Sequence, residues 1–160
     1  MASAIFIKFP NGIAAETTQA GHEESVAATS VQWGVSRSVS SSFTSSGRET
    51  STPSFSEVVF TKMFDSSSND LALAAAKGKS MDEVTITFRK DTGEDQLDYL
   101  IYTLTDVLIS SYAMSSGGET PMESLSLNYT SIKGKYVKQA DDHAAGSEHE
   151  FEYILGTQVG

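Results

Sequence analysis

Between Pro53 and Lys79 the chain changes its period, and this switch constrains the fold more than any other stretch. From Ser54 to Thr61, Phe55, Glu57, Val59 and Thr61 fall on one face and Ser56, Val58 and Phe60 on the other. That alternation of branched and aromatic residues is the pattern of a half-buried strand. Ser67 and, three residues on, Asp70 then read as an acidic capping box, hydroxyl and carboxylate each accepting a free amide at a helix start. Leu71, Ala74 and Ala75 recur at helical spacing, Lys77 suits the negative C-terminal end, and Gly78 supplies a left-handed stop. The expectation is one helix of about three turns in a chain that otherwise reads as strands.

The remaining segments follow from the same rules. Ala4 to Phe9 reads as a first strand, and Pro10-Asn11-Gly12 as a turn. Ile13 to Ser25 is polar and alanine-rich, a loop with a short strand at most. Thr29 to Ser42 is expected as one long strand, with Val31, Trp33 and Val35 on one face and Gln32, Gly34 and Ser36 on the other. Trp33, the single tryptophan, is expected as a core anchor, which sends Gln32 toward solvent or a lumen. Ser40 to Thr52 is a low-complexity polar segment around Gly47, either a flexible hairpin loop or an arm that orders against a neighbour.

Val84 to Lys90 and Gln96 to Thr105 flank Asp91-Thr92-Gly93-Glu94 as a hairpin. The second of these strands is apolar on both faces through Leu97, Tyr99, Ile101 and Leu100, Tyr102, Leu104, which predicts a central strand between sheet and helix. A bend is expected near Asp106, with the strand resuming through Val107 to Tyr112. Met122 to Thr130 sets Leu125, Leu127 and Tyr129 against Ser124, Ser126 and Asn128. Ile132 to Val137 continues as strand with a bulge expected at Gly134, Gln139 to Gly146 is a charged turn, and Glu148 to Leu155 closes the chain. Phe60, Leu100 and Leu127 join Trp33 as expected core residues.

At 160 residues one domain spanning 1–160 is expected, large enough for its own core. Eleven basic against 21 acidic residues give a formal charge of −10 and a pI near 4.6. Such a chain gains nothing from counterion release on nucleic acid and is repelled by anionic lipid, so neither is an expected partner. No run approaches the roughly 20 apolar residues of a membrane span, and no basic leader precedes the first apolar run, which predicts a start in the cytoplasm. Serine is used heavily, often within strands, where its intrinsic propensity is poor. Sheet faces that polar suit a surface lining water or meeting another subunit.

Catalytic constellations are weak. There is no cysteine, so disulfides, thiolate metal sites and a cysteine nucleophile are all excluded. His22, His143 and His149 sit in separate polar segments, none at metal-ligand spacing with another. Asp141-Asp142-His143 could orient a base, but no serine lies in the glycine-flanked elbow that a nucleophile needs. Asp91, Glu94 and Asp95 lack the ligand series of a calcium loop. Asn128-Tyr129-Thr130 matches a glycosylation sequon inside a predicted strand. No enzyme, metal or cofactor is expected from these residues.

Four motifs in order carry a resemblance. They are Val31-Gln32-Trp33-Gly34, then Phe60-Thr61-Lys62-Met63-Phe64-Asp65-Ser66-Ser67-Ser68, then Tyr99 to Leu104 with Val107 to Tyr112, then Glu123-Ser124-Leu125-Ser126-Leu127-Asn128-Tyr129. In identity, order and spacing across Ser30 to Val137 they resemble the Hcp (haemolysin-coregulated protein) family of type VI secretion systems. The chain departs from many relatives near Asn69, where they carry a proline, and in Ser40 to Thr52 and Gln139 to Gly146, where the family varies.

The resemblance implies a mainly β fold, a compact two-sheet β-barrel with a single flanking α-helix, assembling into hexameric rings. It implies a structural tube subunit and no enzyme: rings stack into an inner tube, tipped by a VgrG spike and expelled by a contractile sheath, with effectors carried or chaperoned in the channel. Partners are then further copies of itself, spike, sheath and effectors, and the protein is cytoplasmic before firing and secreted afterwards without a signal peptide. Gln32 becomes a candidate channel-lining residue. Ser45, Ser46, Gly47, Arg48 and Glu49 become candidates for subunit or ring contact. Set against this is a soluble β-sandwich that binds a small ligand or sugar, for which a concave aromatic patch is the expected sign.

Overall fold

The computed structural model describes residues 3–10, 13, 25–39, 52–91, 96–139 and 145–155. Eleven strands and one helix follow in the order β1 (Ser3–Lys8), β2 (Val26–Ala28), β3 (Ser30–Gln32), β4 (Val35–Ser36), β5 (Ser54–Phe55), β6 (Val58–Met63), α1 (Ser68–Lys77), β7 (Met81–Asp91), β8 (Gln96–Ser115), β9 (Met122–Asn128), β10 (Ser131–Gln139) and β11 (Ala145–Ile154). Nine of the strands form one antiparallel sheet along the path β2-β1-β7-β8-β9-β6-β3, with β10 on β8 and β11 on β10, while β4 and β5 pair separately.

The sheet is not the closed barrel that was expected. Its path ends at β2 and β3, which are three residues each and separated only by Thr29. Two strands that run end to end along the chain cannot lie side by side, so no ladder seals the sheet. Thr29 holds the join instead, its amide donating to the Thr61 carbonyl at 2.7 Å.

β8 organises the molecule because it is long enough to serve two neighbourhoods. Its first half lies between β7 and β10, and Leu108–Ser115 pairs with β9. The bend falls at Asp106, a non-glycine residue at φ 55, a left-handed conformation that aspartate tolerates better than most residues. α1 packs on β8 and sends Leu71 into a cluster with Phe60, Val84, Leu104, Val107, Leu125, Leu127 and Ile132, all fully buried. Leu97 to Thr103 stay half-exposed, although the sequence is apolar on both faces there.

Three strand expectations change. The strand expected from Ser54 to Thr61 is split, Ser54–Phe55 pairing with β4 while Val58–Met63 runs between β3 and β9. The long strand from Thr29 breaks at Trp33 and Gly34: β3 pairs with β6, but β4 pairs with β5. Between them Gly34 donates its amide to Ser56 Oγ at 2.7 Å and accepts from the Ser56 amide at 2.8 Å, so the chain leaves one sheet for the other. Gly134 is not a bulge. It pairs in register with Tyr102 and Phe151, and the irregularity in β10 lies between Val137 and Gln139.

Candidate functional site

The first distinctive feature is a sheet face lined by small polar groups. Across β3, β6, β9 and the second half of β8, Ser30, Thr61, Ser124 and Ala113 stand in one row. Gln32, Val59, Ser126 and Ser111 stand in the next. Residues opposite one another in an antiparallel ladder share a face, and all eight are exposed or half-buried. The alternate residues Val58, Phe60, Leu125, Leu127 and Ile109 are buried on the other face. One layer thus has an inner surface that is apolar apart from the buried Lys62 and Glu123, and a hydroxyl-rich outer one.

These hydroxyls bond largely to one another. Thr61 Oγ1 lies 2.6 Å from Ser30 Oγ and 2.7 Å from Thr29 Oγ1, and Ser111 Oγ donates to Ser126 Oγ at 3.0 Å. Ser110, in the bulge between Ile109 and Ser111, donates to Glu57. At one end of the face the cross-strand pair Met63 and Met122 is 49% and 37% exposed. Such a surface holds water readily and offers few fixed charges. Among the described residues no group of three or more histidines, cysteines or acids could hold a metal ion.

The strand-to-helix junction is built on a buried charge. Lys62 is wholly buried, and its ammonium meets Glu123 Oε2 at 2.8 Å, Asp65 Oδ1 at 3.0 Å and Ser68 Oγ at 2.9 Å. Burial, then the neighbouring Glu123 and Asp65 carboxylates, push the Tyr112 hydroxyl up to about 12. Asp65 also starts the helix, accepting the Ser67 amide at 2.9 Å. Ser67 occupies the N-cap position but makes no side-chain cap, because its hydroxyl is taken by Asp65. Asp70 lies in the first turn. The expected Ser67–Asp70 box is therefore replaced by an aspartate two residues upstream that also answers a buried lysine.

A third feature is aromatic. Trp33 stacks on Phe55 and Phe151 with centroids 6.4 and 6.1 Å apart and meets Tyr102 edge-on at 5.5 Å, while Phe55 stacks on Tyr153 at 4.6 Å. Trp33 is half-buried at the margin of the core and not at its centre, and Leu100 is half-buried too. Phe60 and Leu127 are fully buried. Gln32 is exposed at the edge of the hydroxyl-lined face. Ser45, Ser46, Gly47, Arg48 and Glu49 lie outside the described residues, as do His22 and His143. The hydroxyl rows were visible in the sequence as alternating serines, but the Lys62–Glu123 pair joins positions 61 residues apart and had no local signal.

Comparison with known proteins agrees with this architecture. Residues 6–136 match the model of a family described as type VI secretion system effector, Hcp. Protein hcp1 of Pseudomonas aeruginosa is 39% identical over 90 residues, which is 55% of this chain and 56% of that protein, so the match spans little more than half of the relative. A structure described as a type six secretion system protein superposes with a TM-score of 0.88 at 25% identity, covering 96% of both chains. Hcp1 from Salmonella typhimurium gives 0.77 at 26% identity, over 97% of this chain and 96% of that one. With its family model matched over most of its length, the chain belongs to the Hcp family of type VI secretion system proteins.

Proposed function

We propose that this chain is a single-domain structural subunit of the inner tube of a type VI secretion apparatus. Six copies close head to tail into a ring, rings stack into a tube, and a contractile sheath drives the tube and its VgrG spike outward. Effectors ride in the channel. The observation that carries this reading is the four-stranded face with a sealed apolar core on one side and rows of serine and threonine on the other. A conduit for varied cargo needs a wet, weakly adhesive wall, and hydroxyls that already bond one another supply it.

A second support is β8. Leu97, Tyr99, Leu100, Ile101 and Tyr102 are half-exposed in the isolated chain, and a neighbouring copy would cover them. Head-to-tail contacts that close by rotation leave both ring faces free to stack. Nothing in this role calls for catalysis, a cofactor, nucleic acid or membrane insertion. The subunit waits in the cytoplasm and leaves the cell through the apparatus.

Native mass measurement with negative-stain imaging tests the proposal. Six-fold rings with an open centre are expected; a chain that stays monomeric at high concentration would overturn it and favour the ligand-binding sandwich.

A further inference from the structure

The outward side of α1 carries a shallow groove with an apolar floor and a charged rim. Ile13, Leu73, Ala74 and Met81 form an apolar floor, with Lys77 and Lys79 on the rim and Asp70 at the far end. Leu73 is 52% exposed, an apolar side chain on a helix that already buries Leu71 in the core. Among the described residues neither Lys77 nor Lys79 forms an ion pair. Two exposed lysines flanking Gly78, with no ion pair to another described residue, form a basic rim in a chain of net charge −10.

The complementary surface is on β11, the outermost strand beyond β10. Glu148, Glu150, Glu152 and Ile154 alternate along it and share a face. Lys135 holds Glu148 at 3.2 Å and Lys133 approaches Glu150 at 3.7 Å, but among the described residues no ion pair engages Glu152. Glu152 is exposed, and Ile154, two residues on, is 47% exposed. The spacings also fit. Leu73 and Lys77 are one helical turn apart, about 5–6 Å, while Glu152 and Ile154 are separated by about 6.6 Å along a strand.

We propose that these two patches are the halves of one contact between copies: β11 of one subunit lies on the α1 groove of the next. Ile154 meets the floor beside Leu73, and Glu152 meets the Lys77 and Lys79 rim. The contact is heterologous, one patch against a different patch, which is the kind that generates a ring when the rotation closes. It rests on the ring reading given above and names the surfaces that make the ring.

Charge reversal tests it on the full chain. All residues changed are exposed, and circular dichroism checks that each variant keeps its fold. Native mass spectrometry of the unaltered protein comes first; a monomer there overturns the ring and this contact together. Given rings, Lys79→Glu and Glu152→Lys are each expected to raise the concentration needed for assembly at least about tenfold. The double variant K79E/E152K should restore assembly toward that of the unaltered chain. Single variants that assemble normally, or a folded double variant no better than the singles, would overturn the contact while leaving the ring standing.

Discussion

Lys62 Nζ lies 2.8 Å from Glu123 Oε2, and both side chains are completely shielded from solvent. The lysine sits at the end of β6 and the glutamate at the start of β9, directly opposite one another in the ladder. Removing one member leaves an uncompensated buried charge, whereas replacing both by apolar residues removes the desolvation cost as well. Lys62→Met is therefore expected to lower stability by about 3–5 kcal/mol. The double variant K62M/E123L should recover a large part of that loss, as read by urea unfolding. The recovery will be incomplete because Asp65 and Ser68 also lose the ammonium that they share. A double variant whose loss equals the sum of the two single losses would show that the pair is not coupled.

Tyr129 gives the fold an alkaline limit. Its hydroxyl donates to the Ser56 carbonyl at 2.8 Å, and burial, then the charge of Glu57, push its pKa from 10.0 up to about 12. A pKa raised by folding contributes stability that is whole below the unfolded value and is lost as pH climbs through the folded one. The loss falls between pH 10 and about 12. Two pKa units correspond to on the order of 2–3 kcal/mol. Tyr129→Phe should cost about 1 kcal/mol at neutral pH through the lost hydrogen bond. It should also flatten the stability curve above pH 10, measured by denaturant titrations at stepped pH. An unchanged alkaline slope would exclude Tyr129 as its source.

Gly134 is required by its neighbours and not by its backbone angles. A methyl group there would overlap the ring of Phe151 and approach Tyr102 to 3.1 Å. Phe151 would have to leave its stack on Trp33. Gly134→Ala is expected to cost about 1–3 kcal/mol as an overpacking change. In a Phe151→Ala background the same substitution should cost much less, so a double-mutant cycle reports the coupling directly. Additive losses would place the strain elsewhere.

How much of this could be read in advance depends on how local the cause was. The helix, its glycine stop and the bend near Asp106 follow from neighbouring residues, and all three stand where the sequence puts them. The strand faces of β6 and β9 were equally legible, because period two survives intact along them. What failed was set by distant partners. Trp33 breaks its strand because Ser56 captures Gly34 across 22 residues, and Gly134 serves a ring on β11. The helix still begins at Ser68 with Ser67 as its N-cap, but the carboxylate at its start is that of Asp65, which also answers Lys62 and through it the distant Glu123. As for the hydroxyl-lined face, its residue types were plain, but its register across four strands was not.

Gln32 tests the proposed channel wall. It stands at the exposed end of the row through Val59, Ser126 and Ser111. On the tube reading, Gln32→Arg repeats a bulky charge six times around the lumen and should reduce co-purified effector by about tenfold, equivalent to about 1.4 kcal/mol. The hexamer mass should not change, since the side chain makes no contact in the core. Quantitative mass spectrometry of polypeptides co-purifying from the producing cell reads the first quantity and native mass the second. Normal retention would remove Gln32 from the cargo surface.

Ring stacking should respond to salt, with a sign fixed by composition. The chain carries a formal charge of −10, so on the tube reading two six-fold rings would approach against strong mutual repulsion. Screening shortens the reach of that repulsion, from a Debye length of about 10 Å at 0.1 M salt to about 3 Å at 1 M. The contact proposed between α1 and β11 within a ring is an attraction of opposite charges and weakens under the same conditions. Rising salt is therefore expected to lengthen stacked tubes, seen by electron microscopy, while making individual rings easier to dissociate on dilution. Tubes whose length ignores salt would place the stacking energy in apolar contacts such as Met63 and Met122 and not in relief of charge.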